Sequence, residues 1–157
     1  MTIKSKIKRF AKKSLSLLRH RYLVKKKVIG TRNEIDIKSF CTGTTIDIIG
    51  SNNSVRILVG GLIEGLKIFI RGSNVSILIE ENVAFSRGGA SLWLEDENSS
   101  IAIGRNSSFI GDVHIASTEG ASIFIGSECL VAPVVQIRSG DSHAIYSEGI
   151  RCNQAKP

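Results

Sequence analysis

The 157-residue sequence predicts an all-β solenoid, a parallel β-helix of about four to five coils, with an amphipathic α-helix at its N-terminus. Short apolar runs recur at steps of 20 to 24 residues from residue 44 onward. Within each run apolar side chains alternate with small or polar ones, the period of a half-buried strand. Gly, Asn and Ser separate the runs, so the chain turns often and briefly.

The first element is the leader. In "TIKSKIKRFAKKSLSLLRHRYLVKKKVIG", Ile3, Ile7, Phe10, Ser14, Leu17, Leu18 and Arg21 fall at helical spacing and give a narrow apolar stripe in a lysine-rich cylinder. The helix is expected to end before Gly30, and residues 1–38 read as leader and linker, with 39–157 as the β-helix domain. Two uses fit such a helix. It can attach to an anionic membrane surface, where each basic residue contributes about 1 kcal/mol, or it can pack its stripe on the body or on a neighbouring subunit. Lys outnumbers Arg in it, which argues against an organelle-targeting peptide.

The body follows as three columns of strands. The first holds 46–48, 68–70, 92–94, 113–115 and 135–137. The second holds 57–59, 77–79, 101–103 and 123–125, with 144–146 next in line. The third holds Leu62 and Ile63, then 83–85, 107–109 and 129–131. Each turn of chain thus supplies three strands and returns above its own start, stacking coils about 4.8 Å apart. Gly60, Gly104 and Gly126 follow second-column strands and suit corners that need left-handed backbone angles; Glu80 takes that place in another coil. An antiparallel sandwich would not be expected to keep a three-column spacing so steadily.

Charge narrows the function. The net +7 divides into 11 Lys/Arg and no acid over residues 1–27, and 10 basic against 14 acidic residues over the rest, a body of −4. That body does not offer the basic face nucleic acid requires. No apolar run approaches the ~18 residues of a spanning helix, and charges interrupt every window where a signal peptide needs apolar sequence. A cytoplasmic protein, peripheral at the inner face of the membrane if the leader binds lipid, is the expectation. Cys41, Cys129 and Cys152 are odd in number and lack metal-binding spacing, and three scattered histidines make no zinc site.

The stretches "IEENVA" (79–84), "IGRNSS" (103–108) and "IGSECL" (125–130) recur in register and resemble the hexapeptide repeat of the left-handed β-helix acyltransferases. The segment "VQIRSGDSHAIYSEGIRCNQAKP" (135–157) is similar to the O-acetyltransferases of bacterial capsule, lipopolysaccharide and other surface glycans, in which an S-D-S-H-x-I element carries the catalytic histidine. Asp141, Ser142, His143 and Ile145 stand in those places, and Gly140 separates them from Ser139. The resemblance covers roughly residues 45–157. It implies a left-handed helix, a homotrimer, a glycan acceptor, acetyl-CoA as donor, no metal, and further hexapeptide coils beyond the present C-terminal residues.

Acetyl transfer to a sugar hydroxyl needs a base that takes the alcohol proton as oxygen attacks the thioester, and imidazole titrates near neutrality. His143 is the candidate, held in the bend between the first and second columns. Glu95, Asp96, Glu97 and Glu119 occupy the same bend in earlier coils, and Asp141, two residues before the histidine, is the first choice to orient its ring. Ser142 and Glu119 are candidate substrate contacts, Ser142 not being needed as a nucleophile when the attack is direct. His114 is expected to point outward from a flat face. A non-catalytic trimeric scaffold that binds glycan or a partner enzyme is the alternative. A right-handed β-helix of the polysaccharide-lyase kind would want carboxylates and basic residues clustered on one outward face, which the strands do not clearly supply.

Overall fold

The computed structural model of the chain describes residues 24–140 and 145–152. The leader stripe up to Arg21 and the segment 141–144, which holds Asp141, Ser142 and His143, lie outside the described residues.

Three parallel sheets form the solenoid. The first contains β1 (Val24–Ile29), β4 (Thr44–Ile49), β7 (Lys67–Arg71), β10 (Ser91–Glu95), β13 (Val113–Ser117) and β16 (Val135–Arg138), in that spatial order. The second contains β2 (Glu34–Ile37), β5 (Ser54–Ile57), β8 (Ser76–Ile79), β11 (Ser100–Ile103) and β14 (Ser122–Ile125). The third contains β3 (Phe40–Thr42), β6 (Leu62–Glu64), β9 (Ala84–Ser86), β12 (Ser108–Ile110) and β15 (Leu130–Val131). Every neighbour within these sheets is parallel, and the pairs Val24–Thr44, Thr45–Lys67, Lys67–Ser91, Ser91–His114 and Val113–Val135 mark five returns of 20, 22, 24, 23 and 22 residues. The parallel solenoid expected from the periodicity is the observed architecture.

Alternation decides what the solenoid encloses. Ile46, Ile68, Leu92 and Ile115 line one inward column; Val55, Ile77 and Ile101 line another, all essentially inaccessible to solvent. On the third sheet Cys41, Ile63, Phe85 and Phe109 share an inward column, and the two phenyl rings stack with centroids 4.6 Å apart. Aromatic stacking adds to the area these side chains bury. Lys26 occupies the position in register with Ile46 but is exposed, so the apolar column meets a charge at the first described coil, a common protection for a sheet edge.

Four expectations are corrected. Residues 24–29 are not the end of a helix: they form β1 and pair in register with β4, so the solenoid starts before residue 39. A strand in this place satisfies backbone groups along the full length of β4, which a helix could not. The second-column strand expected at 57–59 is β5, Ser54–Ile57, with Ile57 buried and Val59 exposed. Of the second-column strand expected at 144–146, the described residues do not extend the second sheet, because β17 (Tyr146–Ser147) pairs antiparallel with β18 (Ile150–Arg151) across Glu148 and Gly149, at φ 50° and 78°. Two successive left-handed residues make the tight hairpin turn that competes with another coil.

Finally, the left-handed corner position after the second sheet belongs not to Gly104 and Gly126 but to residues two places later. Gly60, Asn82, Asn106 and Glu128 take it, with φ 88°, 57°, 59° and 62°. Asn tolerates these angles, and its amides add a ladder: Asn82 Nδ2 donates to Asn106 Oδ1 at 3.1 Å. Gly104 is needed for a different reason, since a Cβ there would lie 2.6 Å from the Gly126 carbonyl carbon and the Ser127 nitrogen.

Candidate active site

The bend between the first and second sheets is built coil upon coil. After β10 the chain turns through Asp96 and Asn98 at φ 70° and 61°. After β13 it turns through Glu119 and Gly120 at φ 58° and 73°. The Glu119 N–H donates to Asp96 Oδ2 at 2.9 Å, so one carboxylate of the acidic bend ties two layers together. Glu95 is also engaged: Trp93 Nε1 donates to its Oε1 at 2.7 Å.

The next layer is β16 and the residues up to Gly140, which precede the histidine segment in the sequence. Ala116 pairs with Arg138, and Ser139 N–H donates to the Ala116 carbonyl at 3.1 Å, which continues the ladder beyond β16. Thr118 N–H donates to Ser139 Oγ at 2.9 Å, and that hydroxyl lies 3.4 Å from the Thr118 carbonyl as donor. Below it, buried Ser117 Oγ donates to the Ala121 carbonyl at 2.6 Å. Here the inward column changes from Ile48, Ile70 and Leu94 to Ser117 and then Ser139, replacing aliphatic packing with directional bonds just before the vertex.

Gly140 is the last described residue before the histidine segment. A Cβ on it would come within 2.8 Å of Thr118 Oγ1, and Thr118 is itself buried. Glycine therefore lets the chain pass tightly over Thr118 as it enters residues 141–143. On the far side, the Ile145 carbonyl accepts from Cys152 N–H at 2.7 Å, holding the exit in the β17–β18 hairpin.

Of the residues singled out in the sequence, Glu119 is placed in the bend after β13, whereas Asp141, Ser142 and His143 fall outside the described residues. Glu95 and Asp96 share that bend but are bonded to Trp93 and to the Glu119 amide. Thr118, Ser139 and the Ser117 hydroxyl were not anticipated. Their signal was the break in the aliphatic column, legible only once the register is known.

His114 points outward from the first sheet, as alternation predicts. Its Nδ1 is 2.8 Å from Ser91 Oγ and its ring centroid 6.4 Å from that of Trp93. Burial, reinforced by the nearby Arg138 charge and opposed by Asp112, moves its pKa below the usual histidine value, so the ring is neutral at pH 7. Among the described residues no group of three or more His, Cys, Asp or Glu could hold a metal ion. The cysteines are free, with Cys41 buried and Cys152 exposed.

No protein-family model matches the chain. A polysialic acid O-acetyltransferase of Neisseria meningitidis is 32% identical over 131 residues, covering 81% of this chain and 59% of the relative, so the chain spans about three fifths of that protein's length. The crystal structure of the polysialic acid O-acetyltransferase OatWY superposes with a TM-score of 0.76 at 30% identity, over 83% of this chain and 62% of that one. The polySia-specific acetyltransferase NeuO shares the fold, with a TM-score of 0.78 at 21% identity over 86% of this chain and 62% of the other. Sequence and architecture agree: over the matched residues the chain is homologous to the polysialic acid O-acetyltransferases, and it shares their β-helix fold.

Proposed function

We propose that the chain is an O-acetyltransferase that moves an acetyl group from acetyl-CoA to a sugar hydroxyl of a surface polysaccharide or its precursor. The observation that carries this reading is the homology to polysialic acid O-acetyltransferases over the same coils that lead into the Gly140-Asp141-Ser142-His143 segment. Those relatives name a polysaccharide acceptor, and a sialic acid polymer is the first acceptor to try.

In this reading His143 is the general base. It takes the proton of the acceptor hydroxyl while the oxygen bonds to the thioester carbonyl carbon, and it returns that proton to the coenzyme A sulfur as the C–S bond breaks. Such a base contributes about 10²- to 10⁴-fold to the rate. Asp141 holds the imidazole in the right tautomer and favours its protonated form. Ser142 and Glu119 contact the acceptor. Winding is left-handed, the assembly is a homotrimer, and the basic leader that precedes β1 holds the enzyme at the inner, anionic face of the membrane in the cytoplasm.

The test is incubation of the full chain with acetyl-CoA and a panel of sialic-acid polymers and neutral glycans, followed by mass spectrometry of the glycan. An alkali-labile acetyl ester on the polymer is expected. Glycan binding without any transfer would support the non-catalytic scaffold instead.

A further inference from the structure

The outward side of the first sheet differs in kind from the other two. At the outward positions of β1, β4, β7, β10, β13 and β16 stand five basic residues, Lys25, Lys27, Lys67, Arg71 and Arg138, and two acidic ones, Asp47 and Glu95, net +3. Those of the second sheet carry one basic and two acidic, and those of the third one acidic, net −1 each. Positive charge is thus concentrated on one face of a solenoid whose described residues carry 12 Lys/Arg against 13 Asp/Glu.

Aromatic rings stand in the middle of that face. Phe69 and Trp93 are neighbours in register, their centroids 4.9 Å apart and their planes tilted by 38°. Arg71 lies 5.9 Å over the Phe69 ring and bonds Asp47 at 3.1 Å; Glu95 fixes the Trp93 indole, and Ser91 fixes His114. The side chains are therefore held in place by bonds within the chain. Lys67 and Arg138 flank them and are exposed.

We propose that this face is a binding platform for a carboxylate-bearing glycan chain, with Trp93 and Phe69 as the stacking surface for sugar rings and Lys67, Arg71 and Arg138 as the cationic partners of its acid groups. The inference rests on the acetyltransferase reading for the polymer it names, and adds the surface that positions it. Six strands at about 4.8 Å spacing give a strip of roughly 24 Å, long enough for several sugars, and its upper end, β16, closes three residues before Asp141 in the sequence. Self-association would be expected elsewhere, because the third sheet presents Phe40 beside Leu62, both exposed apolar side chains on adjacent strands.

Titration of the full chain with oligosialic acid, without acetyl donor, tests the platform by calorimetry. A neutral dextran is the control, and sedimentation is run in parallel. Wild type is expected to bind the acidic oligomer and not dextran, more weakly as salt rises. Trp93→Ala should weaken binding about ten-fold and Arg138→Gln several-fold, with Glu64→Gln, on the third sheet, unchanged. Arg138 is exposed and its pairing with Ala116 is through the backbone, which glutamine keeps, so it keeps the test open should Trp93→Ala fail to fold. Binding by Arg138→Gln and Trp93→Ala equal to wild type overturns the proposal, as does oligomer dissociation caused by either variant, which would make the face a subunit interface. Tight binding with no acetyl transfer by wild type refutes the enzyme reading while supporting the platform. Transfer that Trp93→Ala leaves intact, with unchanged KM, refutes the platform alone.

Discussion

Replacing Ser139 by alanine isolates the bond that holds the last layer before the vertex. Ser139 Oγ accepts the Thr118 N–H at 2.9 Å, and Thr118 is only 8% exposed. Removing the hydroxyl leaves a buried donor without its partner, a loss of about 1–3 kcal/mol. This layer lies near the end of the described coils, so the cost is expected as local opening more than as global unfolding. Native-state hydrogen exchange at the Thr118 amide reads it directly: at 1.4 kcal/mol per ten-fold, exchange should accelerate roughly 5- to 150-fold in Ser139→Ala. Ser139→Thr retains the oxygen and should stay much closer to wild type. If the alanine variant exchanges at the wild-type rate, or the threonine variant opens as readily as the alanine one, the bond does not secure the bend.

Three more predictions concern the body. Asn106 sits at φ 59°, so Asn106→Ala should cost roughly 1–2 kcal/mol in urea unfolding and Asn106→Gly less than half of that; equal losses would show that the left-handed corner is not what the position demands. Phe109→Ala, which removes one ring of the buried stack, should lower stability by about 3–5 kcal/mol with an unchanged denaturant slope, and a loss below about 1 kcal/mol would contradict the enclosed core. Burial raises the Cys41 thiol to about 11 from 9.0, with only partial opposition from Thr44 and Lys26. Its neutral form is favoured in the fold, so stability should be complete below pH 9 and decline as pH rises toward 11, while iodoacetamide at pH 8 should modify exposed Cys152 well before Cys41. Alkylation of Cys41 at the rate of Cys152 in the folded protein would refute that placement.

The three-column architecture was legible because an enclosed solenoid writes its geometry into the sequence twice: alternation gives the inward side chains, and the recurrence of Ile46, Ile68, Leu92 and Ile115 gives the stacking. What remained hidden depended on register. Apolar runs alone could not show that Ile57, not Val59, aligns with Ile79, and so they placed the left-handed corner at Gly104 instead of Asn106. β1 was masked by its three lysines, which read as more of a basic helix but sit on the outer coil, where one face meets water. The hairpin at Glu148-Gly149 is a local preference that overrode continuation of the column. At the bend, the acidic residues were visible as a group, but their division of labour was not: Asp96 serves a backbone amide and Glu95 an indole, and neither assignment follows from composition. The charge of the first sheet was likewise invisible in composition, since only the strand order gathers Lys67, Arg71 and Arg138 on one side.

The central claim is that an imidazole held at the vertex removes the proton of the acceptor hydroxyl. Radiolabelled acetyl-CoA, a sialic-acid polymer and the pair His143→Ala and His143→Asn test it most directly, with glycan binding measured on each variant. The account predicts a fall in kcat/KM of about 10²-fold or more in both variants while glycan affinity is retained. Transfer at the wild-type rate by either variant would contradict it.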